Sequence, residues 1–369
     1  MLEKFEVYNF MGFKDNLVFD FHTSKKYAYN TDLVQKSIIK KALVFGENSS
    51  GKSNLCYALM DIIFHLSDKE KIALPESVYL CANGDSTNAI FKYHFKFNGK
   101  SVLYEYSKKS ASELCYEKLY YRDELILEYN YFDISHTVIK IPGAEQLNKV
   151  RLPEQLSMLK YIYSNTIQDE KSIVRQVVDF VNGMLYFKSL RDGNTYMGYS
   201  NGSDNLSNLI IKKDKLKDFQ TFLFEMGVNY NLEEITTSSG DKIIGVKFKN
   251  KVIEFNKVAS SGTKTLWLLY CWLLEFENLK FLVIDEFDAY YHFNLSKNVL
   301  KRINQFTNLQ AVITTHTTFL MQQETTRPDC CFILKDSAMI KPICKLTKKE
   351  IRDTNNIEKM YREGQFVDW

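Results

Sequence analysis

The chain lacks the cysteine pattern of a secreted or zinc-binding protein. Its seven cysteines are odd in number and scattered, and no two are spaced as a CxxC pair. This argues against a disulfide framework or a zinc site and favours reduced thiols in a cytosolic protein. The N-terminus also lacks a basic segment followed by an apolar core, so no secretory signal is predicted. We therefore expect a cytoplasmic protein.

Long apolar runs and a charge bias are missing as well. The longest apolar run, Leu266–Leu274, is far too short to cross a bilayer, so no membrane partner is expected. The net charge of +3 neither demands nor excludes a nucleic-acid partner, because binding depends on local patches. No heptad pattern persists over several turns, and a long coiled-coil arm is not expected.

The order of patterns predicts an α/β protein interrupted by a different middle. At 369 residues the chain allows about two or three domains. Residues 2–21 alternate and predict two strands joined around Met11-Gly12-Phe13. Residues 22–40 are polar and predict a loop. Four strand-like runs within 88–142 predict an antiparallel sheet, and helical spacing follows in 145–190.

The next segment predicts a loop, a helix and a short hairpin. Residues 191–207 are rich in Gly, Asn and Ser and predict an exposed loop. Residues 208–226 predict a helix with four lysines and interleaved aspartates, which indicates a solvated face, with a nucleic-acid patch as the alternative. Residues 235–255 predict two short strands.

From Val258 onward strands and helices alternate. The predicted elements are a helix Lys264–Phe276, a strand Phe281–Ile284, a helix Leu295–Gln305, a strand Gln310–Thr314, and strands Cys330–Leu334 and Ala338–Pro342.

Residues 46–53 read as a complete phosphate-binding loop, Gly-Glu-Asn-Ser-Ser-Gly-Lys-Ser. An apolar run, Ala42–Phe45, precedes it and a helix-like stretch, Asn54–Leu66, follows, which is the context such a loop needs. Glycines let backbone N–H groups point at phosphate oxygens, and the helix adds its positive dipole end. The alternative is a surface turn. The predicted phosphate-binding residues are Gly46, Glu47, Asn48, Ser49, Ser50, Gly51, Lys52, Ser53 and Asn54.

Particular roles follow from the chemistry of phosphoryl transfer. Lys52 is predicted to reach the β- and γ-phosphates of ATP, and the Ser53 hydroxyl to ligate Mg²⁺. The strand Phe281–Ile284 ends in two acids, where α/β sheets place ligands. Asp285 is predicted to hold Mg²⁺, and Glu286 to polarise the attacking water. The alternative is a strand that ends in solvent-facing acids.

A second anion-binding site is predicted at Ser260-Ser261-Gly262, just before an apolar helix. Ser260 suits an N-cap, and Gly262 keeps N–H groups accessible. One chain does not need two phosphate sites for one nucleotide, but a dimer does, with each subunit offering Ser260, Ser261 and Gly262 to its partner's nucleotide. The alternative is a plain helix cap. His316 follows the strand 310–314 and is predicted to contact the γ-phosphate, with a structural histidine as the alternative.

The order of these motifs resembles the ATP-binding-cassette ATPases, in their SMC, RecF and OLD-like branch. That family's signature is Leu-Ser-Gly-Gly-Gln; Ser260 and Gly262 match it, and Ala259, Ser261 and Thr263 depart from it. The variant is similar to OLD-like AAA family ATPases of bacterial and phage-defence loci. Residues 285–292, which include Tyr290, resemble the family's Walker B and D-loop, and residues 355–366 resemble its usual ending.

The resemblance implies an ABC-type ATPase head, with a mixed β-sheet carrying the P-loop, an antiparallel β-subdomain, and an inserted β-plus-helical lobe. The predicted segments are 1–66, 67–250 and 251–369. It implies ATP and Mg²⁺ as cofactors, ATP hydrolysis, and a homo-oligomer with composite ATP sites. Glu286, Lys52 and His316 would be catalytic.

OLD proteins carry a TOPRIM nuclease domain, but the chain ends at Trp369, and Asp329, Asp336 and Asp353 are too isolated for a metal nuclease. The resemblance therefore implies a separate effector, a nuclease or toxin encoded nearby. A RecF- or SMC-like DNA-repair ATPase is the alternative.

Two family elements stay open in the sequence. Gln146 and Gln155 are both candidates for the Q-loop glutamine, and neither context selects one. The family's N-terminal hairpin contacts adenine, which makes Asn9, Phe13 and Lys14 candidates for that contact.

Overall fold

The computed structural model describes residues 1–23, 25–69, 74–188, 195–198, 206–289, 291–352 and 354–366. Most of the predicted loop 191–207 lies outside the described residues, as do Tyr290, Asp353 and Trp369.

The strands are β1 Leu2–Tyr8, β2 Leu17–Asp20, β3 Val34–Gln35, β4 Ile38–Ile39, β5 Lys41–Phe45, β6 Ala89–Phe97, β7 Lys100–Lys108, β8 Leu114–Tyr121, β9 Glu124–Asn130, β10 Val138–Ile139, β11 Met184–Lys188, β12 Thr195–Gly198, β13 Leu232–Thr236, β14 Lys242–Lys247, β15 Val252–Glu254, β16 Phe281–Asp285, β17 Gln310–Thr315, β18 Cys331–Lys335 and β19 Met339–Pro342.

The helices are α1 Lys52–Met60, α2 Ile63–Leu66, α3 Met158–Asn165, α4 Ile173–Asn182, α5 Leu206–Lys212, α6 Leu216–Glu225, α7 Phe255–Val258, α8 Ser261–Leu273, α9 Phe293–Asn304 and α10 Ile357–Arg362.

One sheet is antiparallel and has seven described strands in the order β10-β9-β8-β7-β6-β1-β2. The strand runs predicted in 88–142 form its larger part, because alternating residues bury one face and leave the other polar. The predicted N-terminal pair also belongs to it, since β1 pairs with both β2 and β6.

The other large sheet is mixed and has the order β12-β11-β16-β17-β5-β18-β19. Five parallel strands, β11, β16, β17, β5 and β18, lie side by side in its middle. The predicted fold class, an α/β protein with a mixed sheet carrying the phosphate loop and an antiparallel β-subdomain, is confirmed. A smaller antiparallel sheet follows the order β13-β14-β15.

The mixed sheet is covered on both faces. Successive residues of β5 point to opposite sides of the sheet, and each side packs into a core of its own. Ala42 and Val44 join a core shared with the antiparallel sheet and α1 to α4. Leu43 and Phe45 join a second core with α8 and α9. Both faces being apolar explains why β5 reads as a continuous apolar run.

Several sequence-based boundaries were wrong. The segment 145–190 is not helical to its end, because β11 pairs in parallel with β16 inside the mixed sheet. The helix predicted at 54–66 is interrupted after Met60 and resumes as α2, and that predicted at 208–226 breaks at Asp214, whose φ of 53° is left-handed. Residues 22–40 contain the two-stranded sheet of β3 and β4, and the region 235–255 has three strands, not two.

The segment boundaries at 66/67 and 250/251 stay predictions. Backbone pairing crosses both, since β1 pairs with β6 and β11 pairs with β16. Among the described residues, none of the helices combines the length and apolarity that a bilayer span needs.

Candidate nucleotide site

The phosphate loop joins β5 to α1 through a tightly curled backbone. Gly51 has a φ of +98° and Ser49 a φ of +63°, both left-handed. A Cβ at Gly46 would lie 2.5 Å from the Ser50 Oγ and 2.7 Å from the Leu334 carbonyl oxygen. Gly46 and Gly51 are therefore required by close approach and by backbone conformation respectively.

Lys52 is buried at the start of α1, and its ammonium group lies inside the loop. Its Nζ donates hydrogen bonds to the carbonyl oxygens of Gly46 at 2.8 Å and Glu47 at 2.7 Å. Burial lowers the pKa of Lys52, while the Asp285 and Glu286 carboxylates act in the opposite direction. The side chain thus lies within the electrostatic reach of both acids, as the sequence predicts for a phosphate-binding lysine.

The parallel strands bring the predicted motifs to one edge of the mixed sheet. Thr315 of β17 is level with Phe45 of β5, and Ile284 of β16 is level with Ile313 of β17. Gly46, His316 and Glu286 each follow the end of one of these strands. The carboxyl ends of parallel strands form the usual ligand-binding edge of an α/β sheet.

Asp285 is fully buried at this edge. One carboxylate oxygen, Oδ1, accepts a short hydrogen bond of 2.7 Å from the Thr314 hydroxyl. The other, Oδ2, has looser neighbours: the Tyr186 hydroxyl at 3.4 Å and the Lys188 ammonium at 3.4 Å. One oxygen is therefore fixed by β17, and the other is the freer one for a cation.

Glu286 has a left-handed backbone, with a φ of 52°. Its N–H donates to the Thr314 Oγ1 at 2.9 Å, so one threonine fixes both acids. Such a conformation is uncommon for a residue with a side chain and clusters at functional sites. The residue is half-buried. Asp288, two residues on, accepts a hydrogen bond from Thr317 next to His316.

Lys188, Tyr186 and Thr314 are site residues that sequence reasoning missed. Lys188 ends β11 directly opposite Asp285 in the parallel register. Burial alone would lower the pKa of Lys188, but Asp285, Tyr57 and Glu286 together outweigh it and the pKa is raised. The signal in the sequence was the apolar run Met184–Phe187, which fits a short buried strand but lies within a stretch of helical spacing.

Ser260 is the N-cap of α8, as predicted. Its Oγ accepts a hydrogen bond of 3.2 Å from the Thr263 N–H. Ser260 and Ser261 are exposed, and Gly262 is half-buried. No hydrogen bond or ion pair recorded for the described residues joins this segment to the loop 46–53.

The other candidate residues from the sequence lie in different surroundings. His316 is exposed immediately after β17. Asn9 is buried and its amide donates to the Ser86 and Asn88 carbonyl oxygens, and Phe13 is fully buried, so both act in packing. Lys14 is exposed and lies 3.6 Å from Asp85. Gln146 lies in a short 3-10 helix, Glu145–Lys149, beside β10 and far along the chain from β11.

Ser53 and Asp285 suit a Mg²⁺ ion that arrives with phosphate groups. Ser53 lies in the first turn of α1, and Cys56, one turn later, is buried beside Asp285. Mg²⁺ keeps several waters and is usually held by one or two carboxylates together with substrate phosphates. Within the described ranges, no three His, Cys, Asp or Glu side chains gather as a ready-made metal site. The donor set fits a metal that is shared with a nucleotide.

Solved structures that are similar to this chain include two SMC head domains. The chain is similar to the "SMC head domain from Thermotoga maritima", at 14% identity over 93% of this chain and 98% of that chain, with a TM-score of 0.46. It is also similar to a Pyrococcus furiosus Smc head domain with an extended coiled coil bound to the C-terminal domain of ScpA, at 13% identity over 92% and 95% of the chains and a TM-score of 0.47. No curated protein matches significantly.

A family model matches residues 42–322, from β5 to just beyond His316. The match includes the phosphate loop, the Ser260 segment and the Asp285-Glu286 pair. The chain belongs to the family described as "AAA domain, putative AbiEii toxin, Type IV TA system".

Proposed function

We propose that this protein is a cytoplasmic, Mg²⁺-dependent ATPase that acts as a molecular switch. The observation that carries the proposal is the meeting of Lys52, Asp285 and Glu286 at one sheet edge, with the lysine held inside the phosphate loop. These are the groups that phosphoryl transfer requires: a phosphate-binding cation, a metal ligand and a residue that orients water.

Each residue has a distinct task in the proposed reaction. The loop N–H groups and Lys52 bind the β- and γ-phosphates, and Ser53 and Asp285 hold Mg²⁺, which neutralises phosphate charge when bound. Glu286 orients the attacking water in line with the γ-phosphate, and Thr314 keeps its backbone in place. His316 follows the neighbouring strand and is assigned a contact with the γ-phosphate.

The exposed Ser260 segment supports a dimer with shared sites. Ser260 and Ser261 are exposed at the start of α8, and with Gly262 they would contact the γ-phosphate bound by a second copy. ATP binding would then close the interface and hydrolysis would reopen it. The switch would control a separate effector, a nuclease or toxin, in anti-phage defence. The family's description names an AbiEii toxin and a type IV TA system, which supports a role in anti-phage defence.

Two variants test the chemistry. We expect Lys52→Ala to abolish ATP binding in calorimetry, and Glu286→Gln to bind ATP normally but lose turnover and stay in the closed form. Lys242→Ala, on the exposed three-stranded sheet, is the matched control and should change neither property. Turnover by Glu286→Gln at the wild-type rate would show that the assigned residue is wrong.

Mixing experiments test the shared sites. Lys52→Ala and Ser260→Arg should each be inactive alone. A mixed dimer contains one site with a native loop and a native signature segment, so mixing the two should restore part of the ATPase activity. Activity that stays absent after mixing, while both variants still dimerise, would contradict the composite site.

The alternative, a DNA-repair ATPase, makes a separate prediction. DNA would stimulate ATP turnover, and the stimulation would fall steeply with salt because phosphate contacts release counterions. Turnover that DNA leaves unchanged would favour control of a protein effector.

A further inference from the structure

A pocket lies beside the phosphate loop, on the side away from Asp285. Its volume is about 270 Å³, and the loop contributes Gly46, Glu47 and Ser50 to its wall. Pockets that enclose whole small molecules measure roughly 300–1,000 Å³. This one suits a single ring system that is attached to something bound in the loop.

The opposite walls come from β18 and from the C-terminal segment. Ile333 and Leu334 supply apolar surface, and Asp336 follows them at the turn into β19. Tyr361 of α10 and Phe366 beyond it complete the pocket with aromatic surface. Flat apolar and aromatic surface with acidic groups at the rim is a binding site for a planar ring that carries hydrogen-bond donors.

Two further observations point to a polar ligand. Ser50 is only 7% exposed, and its hydroxyl has no hydrogen-bond partner in the described part of the chain. Burial, followed by the neighbouring Glu47 carboxylate, raises the pKa of Tyr361. The Tyr361 hydroxyl therefore stays protonated and can donate a hydrogen bond across the pocket.

The turn between β18 and β19 fixes this pocket to the loop. The Ser337 N–H and hydroxyl both donate to the Ser50 carbonyl oxygen, at 3.0 and 3.1 Å. Asp336 and Ser337 are both left-handed. One wall of the pocket is thus hydrogen-bonded directly to the loop. The segments β18, α10 and Phe366 all lie beyond the residues of the family match.

Resting on the proposed ATPase function, we propose that this pocket holds the purine base of the nucleotide, with the Tyr361 ring as stacking surface and the Glu47 and Asp336 carboxylates as acceptors for its amino group. The loop holds the phosphates, and the shared wall of Gly46 and Glu47 places the base next to them. The C-terminal segment then contributes directly to nucleotide affinity.

The test separates base binding from phosphate binding. Calorimetry on the full chain with Mg²⁺ compares ATP with inorganic tripolyphosphate, which has no base. Tyr361→Ala should weaken ATP binding about tenfold, as expected for the loss of base–aromatic stacking, and leave tripolyphosphate unchanged. Tyr361→Phe should retain most of the ATP affinity. Lys359→Ala, on the exposed side of the same helix, is the matched control.

A second variant guards against misfolding. Asp336→Gly removes a carboxylate and suits the left-handed backbone, so it should weaken ATP but not tripolyphosphate. The inference is overturned if both variants bind ATP as the wild type does, or if they lose ATP and tripolyphosphate equally. A wild-type protein that binds neither ligand would instead refute the proposed ATPase function.

Discussion

Asp61 and Asp285 are both buried near α1, the helix that follows the phosphate loop, and each has a lysine beside it. Asp61 caps the end of α1 and faces Lys108 of the antiparallel sheet, and Asp285 faces Lys188 of the mixed sheet. Both carboxylates are fully buried. Their surroundings differ in how completely the charge is satisfied, and that difference separates a structural acid from a functional one.

The Asp61 carboxylate is saturated. It accepts hydrogen bonds from the Tyr79 hydroxyl at 3.0 Å, the Tyr106 hydroxyl at 2.9 Å and the Lys108 ammonium at 2.8 Å. Lys108 is also fully buried, and although burial lowers the pKa of its ammonium, Asp61 opposes that shift. This closed network fastens the phosphate-loop helix to the antiparallel sheet and leaves nothing for a ligand.

The Asp285 carboxylate is satisfied on one side only. The Thr314 hydroxyl lies at 2.7 Å from Oδ1, whereas the partners of Oδ2 lie 3.4 Å away. The Lys188 side chain is 17% exposed, so its ammonium can find water when the carboxylate turns to another cation. A half-satisfied buried acid at the ligand edge of the sheet is the pattern expected of a metal ligand.

The largest expected effect is the loss of stability in Asp61→Asn. The variant keeps the shape but leaves the Lys108 ammonium buried without its counter-charge, which costs about 3–5 kcal/mol in unfolding free energy. Urea unfolding measures it. The double variant Asp61→Asn/Lys108→Met removes both charges and should recover part of the loss. A change below about 1 kcal/mol would mean that the network does not hold the helix.

At Asp285, the isosteric variant should cost little stability but much of the ATP turnover. Asp285→Asn keeps the Thr314 hydrogen bond, and its lysine partner reaches solvent, so the loss in unfolding free energy should stay near about 1 kcal/mol. ATP turnover should fall at least about a hundredfold, because the proposed metal ligand is gone. Parallel unfolding and turnover assays check this. Equal destabilisation by Asp61→Asn and Asp285→Asn would contradict the assignment of Asp61 as a structural acid and Asp285 as a functional one.

The sequence predicted the parts of the site that are local in the chain. The loop 46–53 and the Asp285-Glu286 pair each follow an apolar strand, and the structure places both at one sheet edge. Ser260 as an N-cap needed only its neighbours. These features depend on short-range spacing, which a sequence displays directly.

The remaining parts depend on pairing between distant segments. Lys188 reaches Asp285 only because β11 lies next to β16, about a hundred residues later in the chain. Asp61 looked like one more residue of a longer helix, and only the folded antiparallel sheet supplies Tyr106 and Lys108 to bind it. Tyr361 reaches the loop through the packing of the C-terminal segment. None of these contacts has a local signal.

A smaller effect is expected from Lys188→Met. The ammonium lies 3.4 Å from the oxygen that is free for a cation and therefore competes with Mg²⁺ for it. Removing it should lower the Mg²⁺ concentration for half-maximal ATP binding about tenfold. The free energy of a tenfold change is a modest fraction of the Coulomb energy between two charges at such a distance. Calorimetric titrations at graded Mg²⁺ measure it, with Lys213→Met as an exposed control. An increased Mg²⁺ requirement would show that Lys188 assists the metal.

The smallest effect concerns Lys41, a buried lysine that has no carboxylate partner among the described residues. Lys41 of β5 donates to the Phe306 and Leu309 carbonyl oxygens, and burial, with Lys40 adding to it, lowers its pKa to about 7. The unfolded chain keeps the proton up to about pH 10.4, so it binds more protons than the folded chain between these values, and stability rises with pH there.

Lys41→Met should therefore flatten this rise in unfolding free energy. Relative to the wild type, the variant should gain the most stability at about pH 6.5 and little near about pH 10. Urea unfolding at several pH values measures the slope, and Lys242→Met, on the exposed three-stranded sheet, is the control. Lys188 should give no such slope between these pH values, because its pKa is raised and not lowered. An unchanged slope in Lys41→Met would show that a buried lysine on this strand stays charged without a carboxylate, and that carbonyl oxygens suffice where Asp61 and Asp285 serve Lys108 and Lys188.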